Sequence, residues 1–184
     1  MHACPGRSPP STVVGIDVGG ALKGFHAVAL RDGAYAGQLA SHDVQELANW
    51  CLVTMCASVI AIDAPCRWST TGRARPCERQ LMQQGICCFK TFPHAITWHL
   101  RNGEAKARQK RPQRTALLAQ AGINTELLTS IDLIDAALCA LTAHRVASGA
   151  ACLAFGEPDT GLIVVPERPG ATGETGLDRP NLSV

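Results

Sequence analysis

Two short apolar runs in this chain end in the same way, and that repetition constrains the fold more than any other feature. Val13-Val14-Gly15-Ile16 leads into Asp17, and Val59-Ile60-Ala61-Ile62 leads into Asp63. A brief β-branched run bounded by turn residues reads as a buried strand. A carboxylate at the end of such a strand is costly unless something pairs with it or coordinates it. Gly19-Gly20 follow Asp17 and remove side-chain bulk, so backbone or ligand can approach closely. The plainer alternative is that Asp17 only ends its strand by bonding to the turn. If the two strands are parallel neighbours, both carboxylates project at one sheet edge, where open α/β sheets place their sites.

The segments between them favour that pairing. Residues 12–18, 25–30 and 34–40 read as three strands, with Asp32-Gly33 as a hairpin turn, so they form an antiparallel meander. Residues 42–53 carry Val44, Leu47, Ala48, Cys51 and Leu52 on one helical face, with Ser41 as the expected N-cap. A helix returning to a buried strand is a crossover, which makes the strand ending at Asp63 parallel to the first.

A third element supplies further acids. A helix is expected from Thr129 or Ser130 to about Ser148, with Gly149 behind it. It is apolar nearly all round, so it should be buried, yet it carries Asp132 and Asp135 three residues apart on one face. Asp132 has a structural explanation in the helix dipole. Asp135, about a turn further in, does not. Carboxylates gathered at one point repel by about 4 kcal/mol per pair at ~4 Å and an effective dielectric near 20. A divalent cation removes that cost, and an all-oxygen donor set favours Mg²⁺ or Mn²⁺.

With their order and spacing, these motifs resemble the ribonuclease H-like superfamily. More narrowly, they resemble the predicted-nuclease family catalogued as domain of unknown function 429. The residues that carry the resemblance are Val14-Gly15-Ile16-Asp17, Ile62-Asp63-Ala64-Pro65, Cys77-Glu78-Arg79, Asp132-Leu133-Ile134-Asp135-Ala136 and the segment from Gly156 to Pro166. The resemblance implies an α/β fold with a mixed five-stranded sheet in order 3-2-1-4-5 and helices on both faces. It implies metal-binding acids at Asp17, Asp63 and Asp135, with Asp132 beside them as a fourth catalytic carboxylate. One departure stands out: the second acid, Asp63, lies on a strand where many superfamily nucleases carry Glu on a helix. Glu78 could fill that role only if its helix folds over the site, and it is otherwise a helix-start acid paired with Arg75 or Arg79.

Charge distribution points to an anionic partner. The chain has 184 residues and a net charge of +2, but residues 64–114 hold eleven Arg or Lys against Glu78 and Glu104 alone. That segment is therefore +9 and the remainder −7. Arg67, Arg73, Arg75 and Arg79 follow the Asp63 strand and would bind nucleic-acid phosphates, for which the guanidinium fork is suited. Arg101, Lys106, Arg108, Lys110, Arg111 and Arg114 follow, with Trp68 and Trp98 placed to stack on bases or to sit in the core.

The length fits one domain over residues 12–166, with 1–11 a flexible leader and 167–184 a disordered tail. Shorter helices are expected at 76–84 and within 104–121, and strands at 151–155 and 161–165. No apolar run spans a membrane and the leader lacks the apolar stretch of a secretory signal, so a cytoplasmic protein is expected. The nine cysteines form no CxxC pair and read as reduced small hydrophobes. A zinc site from Cys77, Cys87, Cys88, His94 and His99 matches no standard spacing. The leading functional expectation is a metal-dependent nuclease. The alternatives are an ATP-binding phosphotransferase related to the sugar kinases and actin, which the single-domain length disfavours, or a non-catalytic nucleic-acid-binding module on the same fold.

Overall fold

The computed structural model describes residues 11–64, 72–86 and 92–167. Strand β1, Thr12–Val18, is central. It pairs antiparallel with β2, Phe25–Arg31, which pairs with β3, Ala34–Ser41. A four-residue helical turn, α1 (Gly20–Lys23), joins β1 to β2. The β2–β3 hairpin turns on Asp32 and Gly33 with φ of 50° and 82°, the left-handed pair that an Asp-Gly turn supplies.

Helix α2, Val44–Asn49, runs on into a π-helical turn, Trp50–Thr54. Its cap is Asp43 rather than the expected Ser41: the Asp43 carboxylate accepts from the Gln45 and Glu46 amides. Ser41 sits two residues earlier, accepting from the Asp43 amide. The chain then returns as β4, Val59–Asp63, parallel to β1. The sheet order is β3-β2-β1-β4.

Alternation along the strands divides the core into two. Val13 and Val28 face one side, where they pack with helix α6, Ile131–Ala147. Val14, Ile16, Ala27 and Ala29 face the other and pack with Leu47 and Cys51. Helices therefore lie on both faces. Ser130 caps α6 by accepting from the Leu133 amide, as its position ahead of the apolar run predicts. At the centre of β1, Gly15 lies against α6: a Cβ there would clash with the Ala136 carbonyl and the Ala140 amide. The missing side chain lets helix backbone rest on strand backbone.

Three further helices cover the α6 side: α3 (Pro76–Gln83), α4 (Phe92–Leu100) and α5 (Lys110–Gln120). Pro112 lies in the first turn of α5, where its missing N–H removes no hydrogen bond.

The expected fifth place in the sheet is a correction. Strand β5, Cys152–Glu157, does not add beside β4 among the described residues. It forms its own two-stranded sheet with β6, Gly161–Pro166. Only residues 158–160 separate them, and full register from Cys152↔Pro166 to Glu157↔Gly161 satisfies one edge of β5 locally. So short a closure costs little chain entropy. Gln80 on α3 ties the hairpin down by accepting from the Gly156 amide at 2.6 Å.

A candidate acidic site at the sheet edge

Register places the first two acids together. Asp17 and Asp63 are direct partners across the parallel β1–β4 pair. Val13 and Gly15 on β1, and Val59 and Ala61 on β4, face the α6 side, so period-two alternation turns both carboxyls toward α6. Asp135 comes from α6 just before Ala136, whose carbonyl meets Gly15. Asp17 and Asp135 are buried, and Asp63 is half-buried.

The electrostatics follow from that crowding. Burial raises the Asp17 carboxyl to about 7, helped by the charges of Asp63, Asp135 and Asp132. Its interaction with the Asp63 side chain acts in the same direction. Asp63 is raised to about 6, again chiefly by burial. The Phe92 amide, at the start of α4, donates to Asp63 Oδ1 at 3.1 Å and restrains that rise. Burial also raises Asp135, against the opposing pull of Arg114. The Cys139 thiol lies near the same acids, and burial keeps it protonated, well above its ordinary value.

Two cations already engage the other acids. Arg114, only 4% exposed, donates from Nη1 to Asp135 Oδ1. Lys23, from the turn after β1, reaches Asp132 at 2.9 and 3.2 Å. Asp132 thus sits in the first turn of α6, where an acid suits the helix dipole, and also closes an ion pair with α1. The four acids share one edge without forming one cage. Among the described residues, no three His, Cys, Asp or Glu side chains stand close enough to hold a metal ion as they are.

The donor chemistry nonetheless fits a hard divalent cation. Asp17 and Asp63 are adjacent carboxyls that burial raises above their ordinary value, an all-oxygen pair of the kind such a cation takes. Asp135, the third acid, is buried and engaged by Arg114.

The basic residues divide differently from their order in the sequence. Arg67 lies outside the described residues. Arg73 and Arg79 are exposed, and Arg79 donates to the Ala74 carbonyl at 2.7 Å. Arg75 is committed to Glu78 through Nε at 3.0 Å and a second guanidinium nitrogen, while the Glu78 carboxylate accepts from the Arg75 amide. Glu78 is therefore a helix-capping acid held below its ordinary value by Arg75, and not a further member of the acidic edge. Sequence reasoning grouped Arg114 with the basic run that points to an anionic partner and missed its place beside Asp135. Its spacing from Leu117 and Leu118 on α5 was the available signal, since residues three and four apart share a helix face and both leucines are buried. Of the zinc candidates, Cys87 and Cys88 lie outside the described residues. Cys51, Cys56, Cys77, Cys139 and Cys152 are all free thiols. No helix among the described residues is long and apolar enough to cross a membrane.

A family model described as "Protein of unknown function (DUF429)" matches residues 15–111 and 86–160. No curated protein and no solved structure matches the chain. The two matched segments overlap and together take in Asp17, Asp63, Asp132 and Asp135, and the chain belongs to the DUF429 family.

Proposed function

We propose that this protein is a metal-dependent nuclease that hydrolyses phosphodiester bonds at the edge formed by Asp17, Asp63 and Asp135, on a fold of ribonuclease H type. The observation that carries the proposal is the Asp17–Asp63 pair: two strand-end carboxyls in direct register, both raised above their ordinary value chiefly by burial, and facing the side of a third, buried acid. The fold assignment is supported by the antiparallel meander followed by a parallel crossover strand, with the acid-bearing helix on one face.

When bound, Mg²⁺ or Mn²⁺ supplies an activated water and offsets charge on the leaving oxygen. The chain's own groups do the rest. Asp17 and Asp63, as carboxylates, would be the ligands that hold the ion, with Asp135 beside them. Asp63 is held in place by the Phe92 amide at the start of α4. Asp132 keeps Lys23 at the rim. Exposed Arg73 and Arg79, near the start of α3, suit the nucleic-acid backbone.

The test is Mn²⁺-dependent cleavage of single-stranded, duplex, hybrid and branched substrates, with Asp17→Asn alongside. Cleavage by the wild type and its loss in the variant support the reading; no cleavage of any substrate counts against it. A non-catalytic nucleic-acid-binding module is the second reading. It is favoured by one observation: Arg114 and Lys23 already neutralise two of the acids without a metal. Binding without cleavage at saturating Mn²⁺ is its signature.

A further inference from the structure

Arg114 is an unusual neighbour for a proposed cation site. Its side chain is almost wholly buried, it donates to the acid that would complete the ligand set, and its charge also acts on Asp63. Its Nε is buried with no hydrogen-bond partner among the described residues. A guanidinium cannot lose its proton, so it is a permanent positive charge. In a site that binds only anions or only stabilises the fold, a buried arginine is expected to use its whole fork. Here Nη1 is engaged by Asp135 while Nε, among the described residues, is not engaged.

We infer that Arg114 is a positioning residue that occupies the cation's place at Asp135 and sets the affinity of the acidic edge for divalent metal. The inference rests on the metal-site reading above. In the metal-free protein Arg114 holds Asp135 in place and offsets repulsion among the acids. Were a divalent ion held here, Asp135 would have to offer it an oxygen that Arg114 Nη1 now engages, so the two cations compete for the same carboxylate. A divalent ion can displace the contact because it brings twice the charge at shorter range. The arginine thereby lowers affinity for metal while keeping the empty site folded.

The experiment is a Mn²⁺ titration of the full chain, followed by loss of the free-ion paramagnetic resonance signal, for wild type, Arg114→Gln and Asp17→Asn. Arg114→Gln is expected to bind at least about tenfold more tightly than wild type, since a repelling unit charge is gone. Asp17→Asn is expected to lose binding. Equal or weaker binding by Arg114→Gln, with Asp17→Asn still deficient, overturns the role of Arg114 and leaves the metal site standing. No binding by wild type or Arg114→Gln overturns both. Because Arg114→Gln strands a buried carboxylate and can fail to fold, a second measurement uses the wild type alone. Its Arg114 Nε–H resonance is followed as Mg²⁺ is added. A shift that saturates together with the Asp17 amide is expected; an unmoved Arg114 resonance while Asp17 saturates overturns the inference.

Discussion

Asp17 and Asp63 set the sign of the protein's response to pH. Both carboxyls lie above their ordinary value of 3.8, at about 7 and about 6. Between roughly pH 4 and 7 the native state therefore holds protons that the unfolded chain has released, and stability falls as pH rises. The contribution is whole below the unfolded value and gone above about 7. The two groups titrate as a pair, so the loss is spread across that window. In chelator, the urea midpoint is expected to be higher near pH 5.5 than near pH 8, with Asp17→Asn flattening the difference; a midpoint that rises with pH over this range in wild type would sink the assignment. Metal reverses the sign, because a cation binds only the deprotonated acids. Mn²⁺ at ~100 times its dissociation constant stabilises by about 2.7 kcal/mol. At roughly 2–4 °C per kcal/mol for a domain of this size, a melting shift of about 5–10 °C is expected near pH 8. Asp17→Asn should lose most of that shift yet melt no lower than wild type in chelator, since it relieves repulsion. A variant that melts well below wild type in chelator would mark Asp17 as a structural strand end.

At the scale of elements, α6 against β1 decides the geometry. Gly15→Ala places a methyl group inside the backbone of Ala136 and Ala140, so α6 must move. Overpacking of this kind costs about 1–3 kcal/mol or more. A lower melting temperature together with weakened Mn²⁺ binding is expected, although Gly15 has no functional group; unchanged metal affinity would mean that α6 does not set the position of Asp135. Much of this was legible. The β-branched runs set β1 and β4, the Asp-Gly turn set the hairpin, and Ser130 marked the start of α6 because its hydroxyl could serve the first free amides. Asp17 and Asp63 could be placed on one edge because both end parallel strands, whereas Asp135, on a helix, joined them only through the family resemblance. Other elements hid for physical reasons. Helix α4 buries His94, Thr97 and His99 beside Ala95 and Ile96, which blurs the apolar stripe that would reveal it. The β5–β6 hairpin was read as separate strands because pairing depends on edges, and edges are not written in either segment alone. Arg114 was hidden by its own charge, since nothing short of the fold reveals that an arginine in a basic run points inward.

For the molecule as a whole, the uneven charge is the governing fact. The +9 segment of residues 64–114 contains both the exposed arginines and the buried one. Nucleic-acid binding through it should weaken with salt, with a slope near −0.9 per phosphate neutralised on duplex DNA. Changing Arg73 and Arg79 to Ala should flatten that slope, whereas Arg75→Ala should chiefly destabilise α3, where Arg75 pairs with Glu78. An Arg75→Ala variant that flattens the slope as much, with unchanged melting, would overturn that division. The placing of the acids also has a consequence in time. Asp17 and Asp63 enter the chain early, but their common neighbour Asp135 comes from a helix that reaches back across more than a hundred residues to lie on β1. Contacts of such separation form late and slowly. As the chain leaves the ribosome, its first 120 residues carry two of the three acids and most of the arginines, but no completed site. Any cleavage activity would begin only when α6 docks, and a nascent chain would emerge beside ribosomal and messenger RNA without the means to cut it.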